Sequence, residues 1–163
     1  MNKINVRDKP IKEITLRRYE KPHSDLNERT LVRKFCLSIG LLNPGDKRDV
    51  IVDILRVLMN SKEPLSVTEI KEKLIELRKS ENLELKGIAE SNIRRQLRRL
   101  KELYLIDKIG GAYMISENDS FENIFEDKIK KFVIEHIIER VKDYAKALDA
   151  LVEAKKYKEM NEN

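Results

Sequence analysis

Between Ile88 and Ile106 the chain reads IAESNIRRQLRRLKELYLI, with four arginines, one lysine and no acidic side chain from Ile93 to Lys101. Guanidinium forks bond a guanine edge or a phosphate bidentately, and Asn can do the same for adenine, so this set of residues points to a polyanion and to nucleic acid above all. The chemistry needs a rigid carrier. Ile93, Leu97, Leu100 and Tyr104 step 4, 3 and 4, which puts them on one face of a helix and leaves Ser91, Asn92, Arg95, Arg98 and Arg99 on the other.

The distribution of charge sharpens that reading. The 163 residues carry a net charge of +5. Residues 1–21 hold seven basic against three acidic side chains, and residues 86–108 again hold seven against three. Residues 22–85 balance at eleven each, and residues 109–163 carry nine basic against twelve acidic. Two basic islands on a neutral or acidic body are the asymmetry expected of a nucleic-acid surface.

Other classes find little support. No P-loop, no G-x-G-x-x-G, no H-E-x-x-H and no Cys/His pair of catalytic spacing is present, so the chain does not read as an enzyme and no cofactor is expected. A lone Cys36 with His23 and His136 cannot assemble a zinc site, and Cys36 inside LVRKFCLSIGLL reads as a small buried thiol. There is no apolar run near 18 residues and no basic-then-apolar leader, so a cytoplasmic protein without membrane contact is expected. With 39% charged residues, no Trp, 5 Gly and 4 Pro, the composition suits helices, and its Lys/Glu/Ile usage matches the thermophile trend.

The elements that must position the arginines can be read from start and stop signals. A first helix is predicted over 24–39, capped by Ser24 or Asp25 and stopped at Gly40 with Pro44 beyond. A second runs from about Asp46 to Asn60, with a wide apolar stripe that makes it central to the core. The third has an S-x-x-E capping box at Ser66 and Glu69, flanked by the staple pair Leu65 and Ile70. After a link near residues 79–89 comes the basic helix. Leu105–Ile109, Gly110-Gly111 and Ala112–Ile115 then make a two-strand hairpin.

Helix, capped helix, basic helix and hairpin, with Ser91-Asn92-Ile93, Leu97, Leu100 and Leu103-Tyr104-Leu105-Ile106 at the helix-to-wing passage, resemble the winged helix-turn-helix transcription regulators of prokaryotes, archaea among them. The resemblance covers roughly residues 46–115. It implies that the basic helix enters the major groove of double-stranded DNA. Ser91, Asn92, Arg95 and Arg99 would then face base edges, and Arg94, Arg98 and Lys101 would meet phosphates, with Lys108 and the wing-tip glycines near the backbone. The link of about ten residues departs from the three or four of a helix-turn-helix, and the wing carries no arginine, so base specificity would rest on the helix.

The expected fold is therefore mainly α with a small β-hairpin: a basic arm and helix over 1–45, a winged helix-turn-helix domain over 46–116, and a long C-terminal helix over 119–160. That helix would open on a capping box at Asp119 and Glu122 and run unbroken for nearly 40 residues, about 58 Å at 1.5 Å per residue. Ile134, Ile137, Val141, Tyr144, Leu148 and Leu151 step 3, 4, 3, 4, 3 along it as a heptad seam, widened by Ile138, Ala145 and Val152. The seam is either a homodimer contact, placing two reading helices on paired half-sites, or a face that folds back on the first helix of its own chain. The arm, with Lys3, Arg7, Lys9, Lys12, Arg17 and Arg18, either tracks a phosphate backbone or packs on a partner subunit. The reading is a dimeric sequence-specific transcription regulator. The alternatives are a winged-helix scaffold subunit of a nucleic-acid machine and a non-specific DNA or RNA binder.

Overall fold

A computed structural model describes residues 8–163; Lys3 and Arg7 of the basic arm lie outside the described residues. The chain divides into two compact units, Ile14–Phe125 and residues 8–13 with Glu126–Asn163. It is mainly helical with a small three-stranded antiparallel sheet.

The first unit is organised around α2 (Val50–Met59), in which every residue from Val50 to Leu58 is buried. A helix apolar on nearly all sides belongs at the centre of a domain. Its start is later than the expected Asp46, because Asn43-Pro44-Gly45-Asp46 closes a tight turn, with the Asp46 N–H donating to the Asn43 carbonyl (3.0 Å) and Gly45 at φ 83°. The preceding helix α1 (Glu28–Ser38) also begins later than expected. Asn27, and not Ser24 or Asp25, caps it by accepting from the Thr30 N–H at 2.8 Å.

The capping box of α3 (Val67–Ser80) is present in both directions, with Ser66 accepting from the Glu69 N–H (3.2 Å) and Glu69 from the Ser66 N–H (3.3 Å). Leu65 and Ile70 are both buried, as a staple requires. Leu65–Ser66 also forms a short strand, β1, which pairs antiparallel with β3 (Ala112–Ile115); β3 in turn pairs with β2 (Ile106–Ile109), so the hairpin gains a third strand that was not expected. Two residues are too few for alternation to be legible.

The basic helix is α4 (Glu90–Glu102), shorter at both ends than the 88–106 read from the pattern. Tyr104, expected on its apolar face, instead lies beyond the end at φ 64°. The Leu105 N–H reaches back to the Leu100 carbonyl (3.1 Å) and the Tyr104 N–H to Lys101 (3.0 Å), a Schellman closure with a tyrosine at the left-handed position.

Residues 14–20 belong to the first unit, where the Arg17 guanidinium donates to the carbonyls of Leu37 (2.8 Å) and Leu42 (2.9 Å) and to Asn43 Oδ1 (2.9 Å). Arg17 thus helps close the C-terminal end of α1: its backbone N–H donates to the Ser38 carbonyl (2.9 Å), while the Cys36 carbonyl already accepts from the Leu41 and Leu42 N–H groups. Gly40, at φ 78°, makes room for it: a Cβ there would stand 2.7 Å from Thr15 Cβ. This stretch of arm is fastened to its own chain through Arg17.

From Phe121 the backbone is helical in three successive elements: α5 (Phe121–Ile124), a π-helical stretch Phe125–Ile134, and α6 (Glu135–Glu162). The cap is Ser120, which accepts from the Asn123 N–H (3.1 Å), and not the expected Asp119–Glu122 box; Asp119 bonds Asn123 Nδ2 (3.0 Å) instead. Ten residues with i→i+5 bonding break the α-helical phase before Glu135, so regular heptad spacing holds only from the end of that stretch onward. Ile134 and Ile137 are half-buried, whereas Val141, Tyr144, Leu148 and Leu151 are each more than half exposed.

Candidate nucleic-acid interface

Ile93, Leu97 and Leu100 are fully buried and fix the rotation of α4, so its outward face is set by side chains about half a turn away. Ser91, Arg95 and Arg98 stand on the middle of that face, and all three are exposed. Arg94 and Lys101 lie along one flank. Among the described residues the side chains of Arg98 and Lys101 make no hydrogen bond or ion pair, and Arg94 meets Glu90 only at 3.9 Å with both side chains about half exposed.

The other flank is spoken for. Arg99 donates to the Leu41 carbonyl (2.8 Å) and to Gln96 Oε1 (2.9 Å), and Gln96 Nε2 donates to Asn92 Oδ1 (3.2 Å). Asn92 Nδ2 in turn donates to the Gly87 carbonyl (2.7 Å), and Arg95 reaches Asn92 Oδ1 at 3.0 Å. This spine runs from the link, along the helix, to the end of α1. It holds Asn92 and Arg99, two of the four side chains expected at base edges, to protein acceptors.

The link before α4 has its own anchor. Asn82, at φ 56°, ends α3, and the Leu83 N–H returns to the Arg78 carbonyl (2.8 Å). The buried Arg78 side chain donates from Nε to the Glu84 carbonyl (2.6 Å) and from Nη1 to Asp53, which is itself wholly buried in α2. Asp53 also accepts from Arg29 (3.2 Å) and Arg56 (3.0 Å), while Asp49 accepts from Arg29 (2.7 Å) and Arg33 (3.2 Å). Arg56 completes the network through Glu28 (3.0 Å) and Glu81 (2.6 Å). The hydrogen bond from Arg56 holds the Glu81 carboxyl below the usual carboxylate range.

Between α4 and the turn before α2 lies a cleft of about 1010 Å³. Lys47 and Arg48 on the turn, Lys86 on the link and Arg95 on α4 bring cations to its rim, with Asp46 and Glu84 as acidic neighbours. Lys47 and Arg48 were not singled out from sequence; the dipeptide in GDKRD is the signal that could have found them. On the hairpin, Lys108 is exposed with its ammonium 5.7 Å from the centre of the Tyr113 ring, and Gly110, the first turn residue, takes φ 63°.

Burial pushes the Cys36 thiol up to about 12, which keeps it protonated and inert. Among the described residues, no group of three His, Cys, Asp or Glu side chains could hold a metal, and no helix is long and apolar enough to cross a membrane. Comparison with family models, with curated proteins and with solved structures finds no match to this chain.

Proposed function

We propose that this protein binds double-stranded DNA through α4, as a winged helix-turn-helix transcription regulator that acts as a dimer. The observation that carries the reading is the outward face of α4. Ser91, Arg94, Arg95, Arg98 and Lys101 present four cations on a helix locked by Ile93, Leu97 and Leu100, and its two acids, Glu90 and Glu102, are its first and last residues. The order of elements from α2 to β3 supports it, since a helix of this kind followed by a hairpin suits a major groove flanked by phosphates.

Base reading falls to Ser91, Arg95 and Arg98, because Asn92 and Arg99 are already bonded to backbone carbonyls, whereas Arg95 meets only the side-chain oxygen of Asn92 (3.0 Å). Arg94 and Lys101, with Lys47, Arg48 and Lys108 further out, meet phosphates. The test is binding of the Arg95→Ala, Arg98→Ala double variant to duplexes selected from a random pool and to shuffled controls, at two salt concentrations. Loss of preference for the selected duplex, with modest loss of general affinity, supports sequence reading. A uniform loss points to backbone binding alone, and unchanged DNA binding leaves a protein-interaction role for the fold.

A further inference from the structure

We infer that α6 pairs with α6 of a second copy in antiparallel orientation, centred between Lys142 and Asp143. This rests on the reading of the protein as a dimer and specifies how the dimer is built. Val141, Tyr144, Leu148 and Leu151 form an apolar stripe on α6 with each side chain more than half exposed, and Ile138 and Val152 beside them are similarly open. A stripe of this size on a helix with no buried residue needs cover.

The charge on α6 favours a copy of itself as that cover. Residues 135–162 carry seven acidic and six basic side chains, so two such helices approach without long-range repulsion, whereas a polyanion would gain nothing from this surface. An isologous contact also requires a patch that is complementary to itself.

The lysines decide the direction. Continuing the 3, 4 step beyond Leu148 and Leu151 places Lys155 and Lys158 on the same seam. A parallel in-register pair would set Lys155 against the partner's Lys155 and Lys158 against the partner's Lys158, two like-charge layers at the end of a short coil. Antiparallel pairing about the 142/143 midpoint sets Ile134 against the partner's Leu151, Ile137 against the partner's Leu148 and Val141 against the partner's Tyr144. Every apolar seam position then meets an apolar one, both lysines fall outside the paired layers, and the bulky Ile138 meets the small Ala145 of the partner.

Disulfide trapping tests the orientation. Co-expressed Ile137→Cys and Leu148→Cys chains with different tags should give a cross-linked heterodimer under mild oxidation, and Leu148→Cys alone should give none; the wild-type chain, with Cys36 buried, is the blank. A spin label at Glu159→Cys should report a separation of about 50 Å, from 33 residues at about 1.5 Å, against under about 20 Å for a parallel pair. A Leu148→Cys homodimer or the short distance would overturn the antiparallel arrangement while leaving the dimer standing. A monomer by light scattering for the wild-type chain would overturn the dimer itself.

Discussion

Replacing Asp53 by Ala is the sharpest test of what holds α1, α2 and the end of α3 together. The carboxylate is wholly buried and accepts from Nε and Nη2 of Arg29 (3.2 Å each), from Nη1 of Arg56 (3.0 Å) and from Nη1 of Arg78. Four arginines, Arg29, Arg33, Arg56 and Arg78, balance four carboxylates in this network, so the substitution leaves one positive charge in excess at a buried position. Breaking a buried pair from one side costs about 3–5 kcal/mol. The lower end applies, because each guanidinium that loses Asp53 keeps another acceptor: Arg29 keeps Asp49, Arg56 keeps Glu28 and Glu81, and Arg78 keeps the Glu84 carbonyl. A loss of about 3 kcal/mol from a total of about 5–15 kcal/mol lowers the melting temperature by roughly 12 °C, at about 4 °C per kcal/mol for a domain of this size. Urea titration should show the midpoint falling with the slope unchanged. Lys86→Ala, which breaks only the exposed pair with Glu84 (3.3 Å), should move stability by less than about 0.5 kcal/mol. A loss under about 1 kcal/mol for Asp53→Ala would refute the claim that this charge cluster fastens α1, α2 and the end of α3 together.

Arg98→Ala should leave the melting temperature unchanged while removing affinity for duplex DNA, and should lower the slope of log Kd against log salt by about 1 if the side chain neutralises a phosphate. Arg99→Ala should do the opposite. It strips the donor from the Leu41 carbonyl and from Gln96, costing about 1–3 kcal/mol in denaturant titration, and weakens DNA binding only through the loosened helix. Because Arg56 holds the folded-state pKa of Glu81 below its ordinary 4.5, the Glu81 contribution is fully present above that value and is lost as pH falls through the lowered one; Glu81→Gln should flatten that part of the acid-denaturation curve. Cys36, with its thiol pushed up to about 12, should resist a thiol-directed reagent at pH 8 until the protein is unfolded.

Much of the scaffold was legible because its signals are local. The Ser66–Glu69 box lies within one turn, the Gly110-Gly111 turn needs only its own conformational freedom, and the apolar run of α2 announces a central helix by itself. Boundaries slipped where a neighbouring segment decides them. Tyr104 fits the helical period, yet the chain turns at Leu103 so that Leu105 and Ile106 can be buried and the hairpin can begin. The π-helical stretch carries no Pro or Gly to mark it, and the pairing of Leu65–Ser66 with β3 joins residues nearly fifty positions apart.

The arginines show why charge alone cannot assign a site. Residues 22–85 balance at eleven charges of each sign, which reads as a solvated surface, yet Arg56, Arg78 and Asp53 from that stretch are buried. Arg99 and Arg98 are adjacent on one helix with the same side chain. Arg99 sits beside a carbonyl supplied 58 residues earlier, at Leu41, and turns inward to it; Arg98 finds no such acceptor among the described residues and stays on the surface. A guanidinium is taken into the scaffold where the fold brings a backbone carbonyl to it, as for Arg99, and that depends on segments remote in sequence; Arg95 meets only the side-chain oxygen of Asn92 on its own helix. On α4 the criterion separates the flank of Asn92 and Arg99, which holds the helix, from the face of Ser91, Arg95 and Arg98, and it is on that face that substitutions should change which duplex is preferred.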